Sequence, residues 1–261
     1  LATGNYNPAT ARLYTDLGLF TARQDFAEDA TNLFNLLTGV CQFQGMKKLI
    51  VAPFNLHPRM LQLIERETAN VREGLPARII AKMNSLVEPE IIQALYTASQ
   101  TGVKVDLIVR GICCLRPGVP GLSENITVRS IVDRFLEHSR IFYFENARQP
   151  EVFLSSADWM PRNFFRRIET AFPIEDGNLR ERIIREVLHT NLADTAKARV
   201  LQPDGSYRRI PAAAGKARRR SQAEFIALAH SESAPSGAPA PRRTRTLRVK
   251  LAPSPFAPRK K

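Results

Sequence analysis

The chain reads as an α/β protein, because apolar runs of strand length alternate with longer amphipathic stretches and because Gly, Pro and Asx clusters separate them as far as about residue 229. Its 261 residues, 44% hydrophobic and 24% charged, suit one or two cored domains and exclude wholesale disorder. Three cysteines, two of them adjacent (Cys113 and Cys114), make neither a disulfide framework nor a metal-ligand spacing, which points to a reducing compartment. No stretch is long and apolar enough to read as a membrane span.

Each element has a local cause. Residues 25–37 place Phe26, Ala30, Leu33, Phe34 and Leu37 on one helical face. Residues 48–52 form an apolar strand that stops at Pro53, which lacks the N–H a ladder requires. A helix over 58–72 spaces Met60, Leu61, Ile64 and Ala69 at helical intervals and ends near Gly74. A strand follows at 78–83, then a helix at 88–100 closed by Gly102, then a strand at 103–110. Two successive strand-helix-strand units predict parallel strands joined right-handedly, so the sheet is expected to be mixed but largely parallel, with helices flanking it. Beyond these, the pattern predicts a short helix in 127–137 and strands at 140–144, 151–155 and 168–172. A long helix at 178–192, a hairpin within 198–210 turning on Asp204-Gly205 and a final helix over 216–229 complete the expectation.

The net charge of +13 is unevenly spread: residues 205–261 hold 14 Lys and Arg against 2 Asp and Glu, and account for twelve of the thirteen charges. From residue 231 the chain is basic and rich in Pro, Ala and Ser, with too little apolar content to offset its ordering entropy. This segment is expected to be a disordered tail, either solubilising or an arm for a polyanion.

The chain also echoes itself. Thr3-Gly4-Asn5-Tyr6-Asn7-Pro8 aligns with Ser156-Ala157-Asp158-Trp159-Met160-Pro161, and Arg12 with Asp16 echoes Arg166 or Arg167 with Glu169. Eighteen positions before Ser156 stands His138, leading into a strand as His-Ser-Arg. A histidine and a basic residue two positions on, followed by a hydroxyl-Asx turn, resembles the phospholipase D superfamily, whose two related halves meet at one phosphate-handling site. Longer strings narrow the resemblance. TGNYNPATARLYTD (3–16), LVE (86–88), LIVRGIC (107–113), SIVDRFLEH (130–138), FEN (144–146) and LSSADWMPRN (154–163) are similar to the ATP-dependent polyphosphate kinases of the first type.

That resemblance implies reversible transfer of the terminal phosphate of ATP to polyphosphate, with magnesium, through a phosphohistidine carried ahead of Leu1. It further implies a truncated first catalytic domain over 1–48, a second, phospholipase D-like C-terminal domain over 49–230 and the tail over 231–261. The chain, which begins at Leu1 with the first turn already under way, is therefore expected to be a fragment that does not make polyphosphate alone. Carried over by position, His138 is the catalytic histidine of the second half. Tyr14, Arg110 and His138 are its nucleotide-binding residues, and Arg167 lines the phosphate channel. No dedicated protein metal site is expected, since magnesium would travel with the nucleotide. The implied partners are ATP, ADP and polyphosphate, with a homo-oligomer in the full-length protein, a cytoplasmic location and possible membrane association within a complex. The chemistry suits the residue types: an imidazole can pass a proton, an aromatic face can meet a nucleotide, and an arginine fork can bind two phosphate oxygens.

Two alternatives follow from the same residues. A phospholipase D-like phosphodiesterase would need the same histidines with water or an alcohol as acceptor; against it, Ser139-Arg140 replaces the usual x-Lys, and Asp158 stands where those hydrolases favour asparagine. A polyanion-binding protein acting through the tail is the other. His57, behind Asn55, is expected to be a helix-cap neighbour, and Trp159 to pack beneath the second turn.

Overall fold

Helix starts and strand alternation place the elements close to their expected positions. The computed structural model describes residues 1–211, 215 and 217–233. In chain order it contains α1 (Pro8–Ala11), β1 (Tyr14–Thr15), α2 (Gln24–Leu37), β2 (Ile50–Ala52), α3 (Leu56–Arg72), β3 (Arg78–Met83), α4 (Pro89–Gln100) and β4 (Lys104–Val109). There follow β5 (Ile126–Ile131), β6 (Leu136–Glu137), β7 (Arg140–Phe144), β8 (Glu151–Ser155), α5 (Pro161–Phe165) and β9 (Glu169–Pro173). The last described elements are α6 (Gly177–Arg182), a π-helical stretch Ile183–His189, α7 (Thr190–Leu192), β10 (Ala198–Leu201), β11 (Tyr207–Arg209) and α8 (Ser221–Ser233).

Among the described residues nine strands form one sheet in the order β11-β10-β5-β4-β3-β7-β8-β9-β2, and β1 pairs separately with β6 in parallel. The sheet is mixed, as expected, but not largely parallel: only β3-β4 and β4-β5 run parallel, and the other neighbours are antiparallel. The first strand-helix-strand unit does not make neighbours. β4 occupies one edge of β3 and β7 the other, so β2 is displaced to the far edge, antiparallel to β9. The helix expected in 127–137 is absent. Ile126, Thr127, Val128 and Ile131 are β-branched, Ile126 and Val128 are buried on one face, and the segment pairs with β4 as β5.

Both faces of the sheet are covered. One packs Ile79, Ala81, Leu107, Val109, Phe142 and Phe153 against Met60 and Leu63 of α3 and Leu95 of α4. The other packs Ile80, Ile108, Ile141, Val152 and Leu154 against Phe26 of α2 and Ile184 and Leu188 of the π-helical stretch. This double burial explains the near-continuous apolar strands. On α2, however, Phe34 and Leu37 are exposed rather than buried with Phe26.

Local chemistry fixes the boundaries. Glu88 caps α4 by accepting from the Ile91 N–H at 2.7 Å, with Pro89 at the first helical position. Asn55 does not cap α3; its Oδ1 accepts from the Val51 N–H at 2.7 Å instead. The final helix starts five residues later than expected because Asp194 Oδ2 accepts from both the N–H and the hydroxyl of Ser221, at 2.7 and 2.8 Å. Residues 231–233, expected to open the tail, end α8, and residues 234–261 lie outside the described residues.

Candidate functional site

The site forms where the carboxyl ends of β3 and β4 meet the two echoed turns, the end of an α/β sheet at which ligands gather. β6 brings His138 to it. Tyr14 and Thr15 of β1 pair with Leu136 and Glu137, and the His138 N–H donates to the Thr15 carbonyl at 3.2 Å. Alternation along this extended segment sends Glu137 and Ser139 to one side and His138 and Arg140 to the other. The back side is pinned. Buried Lys82 Nζ lies 3.0 Å from Glu137 Oε2 and donates to Ser139 Oγ at 2.9 Å, while Gln222 of α8 donates to Glu137 Oε1 at 2.7 Å.

On the front, His138 Nδ1 lies 2.9 and 3.0 Å from the two carboxylate oxygens of Asp16. Asp16 also accepts from the Thr3 hydroxyl at 2.8 Å. The ring of Tyr14 stands 4.7 Å from that of His138, centroid to centroid, tilted by 43°. Arg140 joins the two halves: its Nη1 donates to the Thr3 carbonyl at 2.9 Å, and its Nε and Nη2 fork onto Asp158 at 3.1 and 2.9 Å. The same Nη1 lies 3.2 Å from His138 Nε2. Asp158 in turn accepts from the Asn84 N–H at 2.6 Å, so the second turn is fastened to the end of β3. Arg110 closes the ring of contacts, its Nε donating to Asn84 Oδ1 at 3.1 Å and to the Glu137 carbonyl at 2.9 Å.

Tyr14, Arg110 and His138 thus share one cluster. Arg167 does not. It is exposed, pairs with Glu169 at 3.9 Å, and among the described residues has no hydrogen bond or ion pair to the cluster. His57 lies apart, half enclosed by Phe164 and Phe165, with Nε2 at 3.2 Å from Glu88. Trp159 is fully buried beneath the second turn, stacked on Phe142 at 4.8 Å. Burial pushes the Cys113 thiol up to about 11, which keeps it protonated and a poor nucleophile although it follows Arg110 closely in sequence.

The echo is structural. Thr3 bonds Asp16 and Ser156 bonds Glu169, each pair thirteen residues apart. The Leu17 N–H donates to Thr3 Oγ1 at 3.0 Å, and the Thr170 N–H to Ser156 Oγ at 3.1 Å. The Thr3 N–H donates to the Leu17 carbonyl and the Ser156 N–H to the Thr170 carbonyl, both at 2.9 Å. Pro8 and Pro161 each open the short helix that follows. Asp16 and Arg140 are the residues that sequence reasoning left without a role. The repeated interval of thirteen was the signal for Asp16, and the i, i+2 spacing from His138 the signal for Arg140.

Among the described residues no group of three or more His, Cys, Asp or Glu side chains converges in a way that would hold a metal ion.

Residues 49–222 match the model of the polyphosphate kinase C-terminal domain 2, and residues 1–43 that of the polyphosphate kinase C-terminal domain 1. The chain is 56% identical over 227 residues to the polyphosphate kinase of Burkholderia ambifaria, covering 87% of the chain and 33% of that protein. It is 52% identical over 233 residues to the polyphosphate kinase of Synechocystis, covering 89% of the chain and 32% of that protein. The crystal structure of polyphosphate kinase from Porphyromonas gingivalis superposes with a TM-score of 0.84 at 43% identity, over 89% of the chain and 36% of the solved one. The chain spans about a third of the length of these relatives.

Proposed function

Because the chain belongs to the polyphosphate kinase family, we propose that it supplies the second half of a site that transfers the terminal phosphate of ATP reversibly to polyphosphate. The observation that carries this reading is the network Asp16–His138–Arg140–Asp158, which bolts two equivalent turns around one histidine next to Tyr14 and Arg110.

The roles follow from chemistry. Asp16, as acceptor for His138 Nδ1, orients the ring and leaves Nε2 to give or take the proton that accompanies phosphoryl transfer. Arg140, 3.2 Å from that nitrogen, brings positive charge to the place where phosphoryl oxygens would gather. Among the described residues Arg110 hydrogen-bonds through Nε alone, which leaves both terminal nitrogens of its fork to meet a phosphate. Tyr14 supplies an aromatic face for the nucleotide. On this reading a histidine supplied from outside the chain attacks the terminal phosphorus of ATP, ADP departs, and the phosphoryl group then passes to the terminal oxygen of the polymer.

The test is polyphosphate synthesis from ATP by the full-length parent carrying His138→Ala. A loss of about 10²- to 10⁴-fold in turnover is expected for a proton-transfer residue. Undiminished synthesis would overturn the assignment.

A further inference from the structure

His138 is carried by a weak piece of sheet. Among the described residues the β1–β6 ladder is two residues long and stands apart from the nine-stranded sheet. A two-stranded ladder is marginal on its own even at greater length. Its register matters more than its strength. Side chains alternate along Glu137-His138-Ser139, so a slip of one residue would turn Glu137 or Ser139 toward Tyr14 and Asp16 and carry His138 to the buried back. Something outside the ladder must fix the register.

The start of α8 does so. Gln222, 2% exposed, accepts from the Phe135 N–H and donates to the Phe135 carbonyl, both at 2.9 Å, which occupies both backbone groups of the residue that precedes β6. Its other amide hydrogen goes to Glu137 Oε1 at 2.7 Å. The oxygen and both hydrogens of one side-chain amide are thus committed to residues 135 and 137. A slip would set Leu136 or His138 where Glu137 now stands, leaving this amide and buried Lys82 without the carboxylate they share. The clamp is itself anchored. The N–H groups of Thr195 and Ala196 donate to the Arg219 carbonyl at 3.0 and 2.9 Å, and Arg220 forks onto Asp133 at 2.7 and 2.6 Å. Glu137 also accepts from the Thr15 hydroxyl at 3.3 Å, which ties the clamped residue to the strand that carries Tyr14 and leads into Asp16.

We propose that Gln222 is a positioning residue for phosphoryl transfer: it locks the register of β6 so that His138, and neither Glu137 nor Ser139, faces Tyr14 and Asp16. The role of His138 rests on the phosphotransfer reading above; the lock does not.

The experiment is polyphosphate synthesis from ATP by the full-length parent carrying Gln222→Met, His138→Gln and both, with amide hydrogen exchange measured on each protein. Methionine keeps the bulk of the side chain and removes the amide. Turnover of Gln222→Met is expected to fall by up to about 10²-fold, the cost of misplacing a reacting group by about 1 Å. In the His138→Gln background the same substitution should cost nothing further, because Gln222 acts through His138. A purely structural role would lower both backgrounds by the same factor. Exchange should quicken at the Leu136 and His138 amides, which donate to the Leu13 and Thr15 carbonyls, while the amides of β3 and β7 stay protected. If Gln222→Met does not fold, Gln222→Glu and the pair Gln222→Glu with Glu137→Gln take its place. The first sets two carboxylates against each other and should lose turnover; the second restores a donor facing an acceptor and should regain part of it, and no regain would count against the lock. Wild-type turnover in Gln222→Met, equal factors in the two backgrounds, or unchanged exchange at 136 and 138 overturns the lock, and reduced synthesis in His138→Gln would then leave the phosphotransfer reading standing. Undiminished synthesis in His138→Gln overturns that reading, and exchange at 136 and 138 then decides the lock alone.

Discussion

The turn from Thr3 to Leu17 and the turn from Ser156 to Thr170 rest on the same hydrogen bonds, yet only the first ends on a histidine. Asp16 spends its free lone pairs on His138, whereas Glu169 accepts from Ser156 and from Asn163 Nδ2 at 2.6 Å and faces Arg167. The difference lies in two positions. Gly4 in the first turn corresponds to Ala157 in the second, and a Cβ on Gly4 would stand 2.0 Å from Asp16 Oδ2. The shorter carboxylate needs the missing methyl. The longer glutamate reaches its hydroxyl with a methyl in place. Equivalent scaffolds have thus been tuned to hold carboxylates of different length, and among the described residues it is Asp16 that meets an imidazole.

The largest expected effect comes from removing the bolt between the turns. Arg140→Ala takes away the fork on Asp158 and the bond to the Thr3 carbonyl, and it leaves a carboxylate that is only 10% exposed without its cation. Breaking such a buried pair costs about 3–5 kcal/mol. Denaturant unfolding should show it, and Arg140→Lys should recover only part, because an ammonium cannot fork. A loss below about 1 kcal/mol would mean that the turns are held independently.

A smaller effect sharpens the contrast between the turns. Gly4→Ala should cost roughly 1–3 kcal/mol, the usual range for forcing atoms into filled space, and should lower synthesis in the full-length parent by displacing Asp16. Ala157→Gly, which removes a buried methyl and loosens the backbone, should cost only about 0.5–1 kcal/mol. Equal costs at the two positions would deny that the missing methyl serves Asp16.

Much of this was legible before any coordinates. Residues 78–83, 140–144 and 151–155 appear as strands at the expected positions, because apolar runs buried on both faces leave little choice of state. The placement of β2 was not legible, since a crossover predicts the hand of a connection but not which strands later fill the space between. Residues 126–131 misled because Arg129 and Ser130 interrupt an otherwise β-branched segment. At the site, Tyr14, Arg110 and His138 came from matched strings, and the structure gathers them. The His138–Asp16 contact joins residues 122 apart, a pairing that only the fold creates. Arg167 sits beside the carboxylate of the second turn instead of the histidine, in keeping with the division between the two turns.

The central claim is that Asp16 and His138 act as one unit in phosphoryl transfer. The most direct measurement is a double-mutant cycle of Asp16→Asn and His138→Gln in the full-length parent, read as the rate of polyphosphate synthesis from ATP. If Asp16 acts through His138, the double variant is no slower than His138→Gln alone, because residues that work as a unit lose activity non-additively. If the two losses multiply, Asp16 serves the reaction or the fold by another route, and the pairing at 2.9 Å is not the catalytic one.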